Sequence, residues 1–304
     1  MKRRVFVTGA GGYLGSGIAA RLARGGCEVT GLVRDAARAS ALASAGVRPV
    51  VGDFDHPASW DGALRNADAV VHVAWSFDDT GIHDQKALAA IRDAIQDGRV
   101  RRLLYTSGLW VCGDSGGRVL DESDPPAPLP IARWRAAHEE VAFDLVHFEV
   151  DVVVMRPATV YGESRGLLGA WFEEARESHT VTVPGNGQQF WPLVHRDDVS
   201  EAFALALDHG APGERFHLCD ESQLTAGEIG GAIAAATGAE LRFADATTVI
   251  EAQGGCGEAL LASQKTTSAK ARRELGWVPF HTNFVQEADH LFREWSAGRE
   301  ASVA

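Results

Sequence analysis

The 304-residue sequence predicts an α/β fold in which helices cover both faces of a parallel β-sheet. Two observations support this prediction. Short, near-continuous apolar runs, typical of strands buried on both faces, alternate with helix-like segments through the first half of the chain. A glycine-rich turn also joins the first apolar run to the first helix-like segment. Sheets of this kind bind ligands at the carboxyl ends of their strands, so we expect the functional site there.

The first half of the chain supplies the strands and helices of the predicted sheet. Their alternation indicates right-handed crossovers and a doubly wound, Rossmann-type order. The predicted strands span residues 5–8, 29–33, 49–52, 69–74, 102–107 and 152–156. The predicted helices span 13–24, 37–45, 84–97 and 131–149, with a short turn at 60–64.

The composition changes after residue 162. We therefore expect a first domain over residues 1–162 and a smaller C-terminal substrate lobe over 163–304. Residues 193–219 are expected to pack back against the sheet. Within this second half the pattern predicts helices at 167–178, 199–208 and 226–237, a strand at 215–218 and a terminal helix after residue 284.

Composition and charge disfavour several kinds of function. The formal net charge is -12, whereas binding to a nucleic-acid backbone depends on clustered Lys and Arg. We find no apolar stretch long enough to cross a bilayer, so we expect no membrane association. The four cysteines are scattered without a C-x-x-C pair, which favours reduced thiols in the cytoplasm. Asp78, Asp79 and Asp84 lack an ordered ligand spacing, and we predict no metal site.

The glycine-rich turn predicts a phosphate-binding loop. Gly9 permits the tight turn, Gly12 lets the backbone approach a pyrophosphate, and Gly15 lets the helix pack close to the sheet. The helix N-terminus then offers N–H groups to the phosphate. The alternative is a glycine turn without a ligand, but a strand before it and a helix after it favour dinucleotide binding. Contacts are expected from Gly9, Gly12, Tyr13, Leu14 and Gly15.

The end of the second predicted strand bears on the choice of cofactor. An acidic residue there would bind the ribose diol of NAD. This chain has Arg34, which can pair with the 2′-phosphate of NADP(H), and Arg38 could assist. Asp35 could instead be a displaced ribose acceptor, and Arg34 could be a solvated surface residue. We predict NADP(H) rather than NAD(H).

Eight segments in order resemble the extended short-chain dehydrogenase/reductase family, which includes nucleotide-sugar epimerases and dihydroflavonol reductases. They cover most of the chain. They read TGAGGYLG (8–15), VRD (33–35), GDF (52–54), HVAW (72–75), YTSG (105–108), RPATVYG (156–162), VHRDDV (194–199) and ELGWVP (274–279).

The resemblance implies further cofactor contacts at the ends of later strands. Asp53 is expected to accept from the adenine amino group, with Phe54 beside the ring. The remaining contacts, to the ribose and nicotinamide, are expected from Val73, Ala74, Thr106, Pro157, Ala158 and Thr159.

The chain departs from the family at the catalytic positions, so it resembles an atypical member. The family uses Ser, Tyr and Lys, but this chain has Gly108, Trp134 and His138 there. Trp134 and His138 share one helical face. Indole N–H can donate a hydrogen bond, and imidazole can transfer a proton near neutral pH. We predict Ser107, Trp134 and His138 as catalytic residues.

The remaining polar candidates receive structural assignments. His72 is assigned a structural or cofactor-side role, and Asp198 is expected to fix a turn or cap the following helix. Arg133 and Arg135 could bind an acidic substrate, but we favour exposure to water. Tyr105 is expected to point into the core.

Aromatic side chains cluster on segments that the family places around its substrate. They could be core residues, but if they face the cleft, the ligand is flat, apolar or aromatic. Trp134 and Phe190 belong to this set. Predicted substrate contacts are Trp75, Trp110, Tyr161, Phe172 and Trp191.

Together these features predict an NADPH-dependent oxidoreductase that acts on a small hydrophobic or aromatic carbonyl, enone or imine. Two alternatives stay open. One is a redox-neutral isomerase, lyase or cyclase that retains the dinucleotide, and the other is a non-enzymatic NADP(H) sensor. The helices at 84–97 and 131–149 could pair in a homodimer, with Val141, Leu145 and Phe148 at the seam.

Overall fold

The computed structural model describes residues 2–75, 81–163 and 165–303. The strands are β1 (Arg4–Thr8), β2 (Glu28–Val33), β3 (Arg48–Val51), β4 (Ala69–His72), β5 (Arg102–Thr106), β6 (Val119–Leu120), β7 (Asp151–Pro157), β8 (Thr159–Tyr161), β9 (Thr180–Pro184), β10 (Leu193–His195), β11 (Arg215–Leu218), β12 (Glu240–Ala244) and β13 (Lys265–Thr266).

Helices alternate with these strands. They are α1 (Tyr13–Arg24), α2 (Ala36–Ser44), α3 (Asp61–Arg65), α4 (Ile82–Asp97), α5 (Arg133–Phe143), α6 (Gly166–Ser178), α7 (Arg196–His209), α8 (Ala226–Thr237), α9 (Ala246–Gln253), α10 (Gly255–Leu261), α11 (Ala269–Leu275) and α12 (Phe284–Val303).

Seven parallel strands form the main sheet, in the order β3-β2-β1-β4-β5-β7-β11. In β1, Val5 and Val7 pack into one apolar layer and Phe6 into the opposite one, because successive side chains of a strand point to opposite faces. Helices α1, α2, α7 and α11 supply the first layer, and α3, α4 and α5 supply the second. The predicted α/β fold with a Rossmann-type parallel sheet is confirmed.

The second half of the chain contributes to the main sheet and also builds a separate core. Its strand β11 pairs with β7, and α7 packs on α1. The separate core draws side chains from α6, α8, α12 and β9. Within it, β9 pairs in parallel with β12.

Two predicted helices differ from the structure by three residues or more at one end. The helix predicted at 131–149 is α-helical only in α5, and the turns before and after it, Pro130–Ala132 and Asp144–Phe148, are 3₁₀. The helix predicted from residue 199 begins at Arg196, because the His195 side chain caps it by accepting from the Asp197 N–H. Among the described residues, no helix combines the length and apolar character needed to cross a membrane.

Candidate active site

The turn between β1 and α1 can be made only with glycine. Gly9 has φ of +65°, and a Cβ there would lie 2.7 Å from the Ala74 Cα. A Cβ on Gly15 would lie 2.2 Å from the Gly9 carbonyl oxygen. The Gly12 N–H donates to that same oxygen at 2.8 Å. The loop is therefore drawn tightly against the ends of β1 and β4.

The N-terminus of α1 has the properties of an anion site. Its N-cap, Gly12, provides no side-chain hydrogen bond, and the first turn holds no acidic residue. A Cβ on Gly12 would meet only the Gly9 carbonyl oxygen, at 3.0 Å, so open space lies above the helix end. Uncapped N–H groups beneath such a space suit the pyrophosphate of a dinucleotide. The Tyr13 hydroxyl donates to the Gly162 carbonyl, which directs that side chain toward the second lobe.

Three charged residues after the end of β2 have different roles. Asp35 caps α2, accepting from the Arg38 N–H at 2.9 Å, and also pairs with the Arg38 guanidinium. Arg38 in turn donates to the Gly11 carbonyl at 3.0 Å. Arg34 is exposed and has no ion-pair partner among the described residues. Asp35 is thus occupied as a cap, and Arg34 remains open to a ligand.

The predicted adenine contacts lie after β3. The Asp53 carboxylate accepts from the backbone N–H groups of Asp55 and His56 and contacts the His56 ring. The hydrogen bond from His56 lowers the pKa of Asp53 from its ordinary value. Phe54 packs edge-on against Trp60 at the border of the second apolar layer. One Asp53 oxygen carries these local bonds, and the side chain stays half exposed.

A buried carboxylate lies at the centre of the acid–base side of the site. Asp84, in the first turn of α4, is 5% exposed. One of its oxygens lies 2.9 Å from the His72 Nε2. The other accepts from the Tyr105 hydroxyl at 2.9 Å and lies 2.7 Å from the His138 Nδ1. Burial alone would raise the pKa of Asp84, but the bonds from His138 and His72 outweigh it and hold that pKa well below its usual range.

The hydrogen bonds around Thr8 fix the tautomer of His72. The Thr8 hydroxyl oxygen accepts from the backbone N–H groups of Val73 and Ala74. Both of its lone pairs are then used, so its proton goes to the His72 Nδ1, 2.7 Å away. The His72 Nδ1 is an acceptor and its Nε2–H donates to Asp84. His72 therefore orients Asp84, and both of its ring nitrogens are engaged by protein groups.

His138 is the member of the network that can exchange a proton. The ionised Asp84 accepts from the His138 Nδ1–H, so Nε2 is the ring nitrogen that remains for a ligand. Nε2 has no hydrogen-bond partner among the described residues. Burial and the nearby Asp84 charge raise the pKa of Tyr105 well above its ordinary value, so Tyr105 stays a donor. The prediction that Tyr105 is a core residue agrees with its complete burial.

Trp134 and Arg135 form the wall beside His138. The Trp134 ring meets the His138 ring edge-on, with centroids 5.3 Å apart. A Cβ on Gly81 would lie 2.7 Å from the indole, so the indole packs directly on the start of α4. Arg135 is half-buried and its Nη1 donates to the Thr106 carbonyl at 2.6 Å. The expectation that Arg135 faces water is wrong, because this bond and the ring contacts hold it against the end of β5.

Two hydroxyl groups at the end of β5 lack a hydrogen-bond partner in the part of the chain that the structure describes. The Ser107 Oγ and Thr106 Oγ1 are buried and have no hydrogen-bond partner among the described residues. A Cβ on Gly108 would meet only the Pro157 carbonyl oxygen, at 3.8 Å. The space that a serine would fill at residue 108 is thus open. Buried hydroxyl groups are usually hydrogen-bonded, so these two are suited to a ligand that supplies the hydrogen bonds.

The predicted substrate aromatics fall into two groups. Trp75, at the end of β4, is 46% exposed, and Trp110 is half-buried between the first apolar layer and the separate core. Tyr161, Phe172 and Trp191 are instead buried in the separate core. Protein contacts surround these three rings, so they lie in the core and do not face an open cleft.

The buried aromatics of this core are held from several sides. Tyr161 packs edge-on against His195 and Phe284. Phe172 stacks on Phe292, and Trp191 stacks on Trp171.

Asp198, near the start of α7, takes one of the two roles that the sequence predicted for it. Asp198 lies inside α7 and accepts from the backbone N–H groups of Phe280 and His281, so it fixes that turn and does not cap the helix. No metal site was predicted. Candidate ligand atoms of His195, Asp197 and His281 nevertheless lie within 4.8 Å of one another, with the two imidazole rings stacked at 3.7 Å. Asp78 and Asp79 lie outside the described residues.

The fold and the glycine turn define a dinucleotide-binding protein, and comparison with known proteins establishes its family. Residues 5–219 match the model of the NAD dependent epimerase/dehydratase family. The chain belongs to this family, within the extended short-chain dehydrogenases/reductases, and is an NAD(P)-dependent enzyme. The resemblance seen in the sequence is confirmed.

Similar proteins include both reductases and dehydratases. An uncharacterized protein of Schizosaccharomyces pombe is 28% identical over 290 residues, which cover 93% of this chain and 97% of the relative. A 4-hydroxy-2-methyl-3-oxo-4-farnesyl-3,4-dihydroquinoline-1-oxide ketoreductase of Stigmatella aurantiaca is 28% identical over 230 residues, 71% of this chain and 68% of the relative. A double mutant of the dTDP-glucose 4,6-dehydratase DesIV of Streptomyces venezuelae, with NAD and DAU bound, matches with a TM-score of 0.82 and 24% identity, covering 98% of each chain.

Proposed function

We propose that this protein is an NADPH-dependent reductase of a small apolar or aromatic carbonyl, enone or imine. The observation that carries the proposal is the contact between buried Asp84 and His138, which stands where the family places its catalytic lysine. A carboxylate on Nδ1 leaves the opposite nitrogen of an imidazole as the acid or base. The ketoreductase named among the relatives supports reduction over the redox-neutral alternative.

The charges at the end of β2 support the proposed preference for NADPH. Arg34 is exposed and unpaired among the described residues, and Asp35 is engaged with Arg38. A guanidinium binds a phosphate through charge-assisted hydrogen bonds, whereas a carboxylate in its place would repel it. The glycine turn, with backbone N–H groups of Tyr13 and Leu14, would hold the pyrophosphate.

The chemistry divides between the cofactor and the chain. The nicotinamide, when bound, supplies a hydride. The protonated His138 donates its Nε2 proton to the substrate oxygen and remains a neutral imidazole with Nδ1–H on Asp84. The buried Ser107 hydroxyl polarises that oxygen by donating to it. Trp134 does not titrate near neutral pH, and its role is to hold the His138 ring in place.

The proposed substrate class rests on the aromatics that remain accessible. Trp75 and Trp110 lie at the ends of β4 and β5, and Trp134 lines the wall beside them. Indole surfaces bind flat apolar groups by burial and stacking. A homodimer stays a prediction, since Val141 and Phe148 are exposed on the proposed seam, whereas Leu145 packs into the core.

Absorbance of NADPH tests the proposal directly. The protein is incubated with NADPH and a panel of ketones, aldehydes, enones and imines, and cofactor oxidation is followed. We expect turnover with aromatic carbonyls and a loss of about a hundredfold or more in His138→Gln. The substitution His147→Gln, outside the network, is the matched control. Product formation without net NADPH consumption would favour the redox-neutral alternative, and equal turnover by His138→Gln would remove His138 from the mechanism.

A further inference from the structure

Arg135 occupies a position between the ends of β4 and β5. Its Nη1 donates to the Thr106 carbonyl, and its Cζ lies 4.4 Å from the centre of the Trp134 ring and 5.8 Å from that of Trp75. It also lies close enough to Asp84 to lower the pKa of that carboxyl. The guanidinium therefore lies at the same strand ends as the network around His138.

Arg135 differs from every other buried or half-buried arginine of the described chain. Each of the others lies within 4 Å of a carboxylate, whereas Arg135 forms no ion pair with any carboxylate of residues 2–75, 81–163 or 165–303. The others are Arg4, Arg21, Arg65, Arg102, Arg156, Arg196 and Arg215.

Asp84, whose pKa Arg135 helps to lower, cannot serve as the partner of Arg135. Both oxygens of Asp84 are already engaged by His72, Tyr105 and His138, and no ion pair joins Asp84 to Arg135. A guanidinium has five N–H donors, and a single carbonyl uses one of them. A partly desolvated cation without an anion is unfavourable, even with aromatic faces beside it. In a chain with net charge -12, carboxylates are abundant, yet none of the described ones pairs with this guanidinium.

We propose that Arg135 binds a carboxylate of the substrate, which makes the substrate an oxo acid. This inference rests on the proposed reductase function and names its substrate class. The planar guanidinium matches the two oxygens of a carboxylate, and the indole faces of Trp134 and Trp75 hold it for that contact. The same aromatic surfaces would cover an apolar or aryl group of the acid.

Anchoring the carboxylate leaves the carbonyl group for the acid–base side of the site. The reaction is reduction of the oxo acid to a hydroxy acid. A hydride from NADPH forms the new C–H bond, the C=O π bond breaks toward oxygen, and the proton comes from His138. The products are the hydroxy acid and NADP⁺, and His138 regains its proton from solvent.

A matched pair of ligands tests this assignment. Benzoylacetate and its ethyl ester differ in the carboxylate and share the ketone and the ring. Binding to the protein in the presence of NADP⁺ is measured by calorimetry, and NADPH oxidation is measured in parallel. We expect the wild type to bind the acid about ten- to hundredfold more tightly than the ester. Arg135→Met should abolish this preference, and Arg135→Lys should retain part of it.

A control on the same helix distinguishes the specific position of Arg135 from a general loss of positive charge. Arg133 is exposed, and Arg133→Met removes the same charge two residues earlier. It should keep the full preference for the acid. Circular dichroism shows whether each variant is folded. If Arg135→Met is unfolded, the part of the preference for the acid that Arg135→Lys retains tests the inference instead.

The outcomes distinguish this inference from the proposed reduction. Arg135-dependent binding of the acid without NADPH oxidation would support the carboxylate site and contradict the reductase. Equal binding of acid and ester by the wild type would overturn the inference. A loss in Arg135→Met that is the same for acid and ester would also overturn it, because the guanidinium would then act on the shared carbonyl group.

Discussion

The two ends of the candidate site are built in different ways. On the phosphate side, between β1 and α1, the polar groups are backbone N–H groups that glycines leave uncovered and uncapped. On the acid–base side, at the ends of β4 and β5, the polar groups are side chains bonded to one another around Asp84. The phosphate side thus works because glycines have no side chains to cover its N–H groups. The acid–base side works because His72, Tyr105 and His138 are all hydrogen-bonded to Asp84.

This difference predicts different responses to substitution. Adding atoms at Gly12 should damage the phosphate side without destabilising the fold, because this position, unlike Gly9 and Gly15, opens onto free space. Removing atoms should damage the acid–base side and also destabilise the fold, because buried donors would lose their acceptor. Single substitutions on each side can therefore test the distinction, and their expected effects range from a loss of binding to a small shift in stability.

Gly12→Val should remove cofactor binding. The Cβ would lie 3.0 Å from the Gly9 carbonyl, and the two methyl groups would project into the space above the α1 N-terminus. We expect the dissociation constant for NADPH, measured by calorimetry, to rise about a thousandfold or more. Gly62→Val is the control, since nothing lies within 4 Å of a Cβ there. Unchanged binding by a folded Gly12→Val would show that the phosphates bind elsewhere.

Asp84→Ala should lower the free energy of unfolding by about 3 kcal/mol, measured with urea. The substitution leaves buried donors on His72, Tyr105 and His138 without an acceptor. Asp93→Ala, on the exposed face of the same helix, is the matched control. A change in Asp84→Ala no larger than in the control would mean that the network does not stabilise the fold.

Arg34→Ala should reduce discrimination between the two cofactors. We expect the wild type to bind NADPH more tightly than NADH by about 1–3 kcal/mol, the range of charge-assisted hydrogen bonds. Calorimetry should show this difference falling in Arg34→Ala and persisting in the exposed control Arg48→Ala. Equal affinities of the wild type for NADPH and NADH would refute the assignment of Arg34.

His217→Gln should make stability less sensitive to acid, at a place outside both ends of the site. Burial, with Arg156 nearby, lowers the pKa of His217 to about 3. An unfolded histidine binds its proton near pH 6.5, so the stabilising contribution is complete above that pH and falls as the pH drops toward 3. Between pH 7 and pH 5 the free energy of unfolding, measured with urea, should fall by about 1–2 kcal/mol less in the variant than in the wild type. His209→Gln, on the surface, is the control for losing an imidazole. Equal losses of stability in the wild type and His217→Gln would show that the buried imidazole does not couple folding to acid.

The sequence predicted the phosphate side well because its signal is local. Gly9, Gly12 and Gly15 lie within seven residues, and a strand and a helix flank them. The strands of the main sheet were predicted for a similar reason, since each is a short apolar run. The strands β9 and β12 were missed, because their sequences, TVTVP and ELRFA, are not continuous apolar runs.

The acid–base side was predicted only in part. His138 was found because the resemblance places the family's lysine at this position, four residues after Trp134, but Asp84 was considered only as a metal ligand. Its partners are 12, 21 and 54 residues away along the chain, and only the packing of α4 and α5 brings them together. Arg135 was misassigned because nothing in the sequence shows that its guanidinium reaches the Thr106 carbonyl.

The central claim is that Asp84 and His138 replace the acid–base residues of the family. The most direct test is the dependence of kcat/KM on pH for NADPH-dependent reduction by the wild type and by Asp84→Asn. We expect the wild type to show a limb with the titration of an imidazole, and Asp84→Asn to displace that limb and lower the rate by about a hundredfold or more, because an amide offers the imidazolium no charge. The same rate and the same pH profile in both proteins would contradict the account.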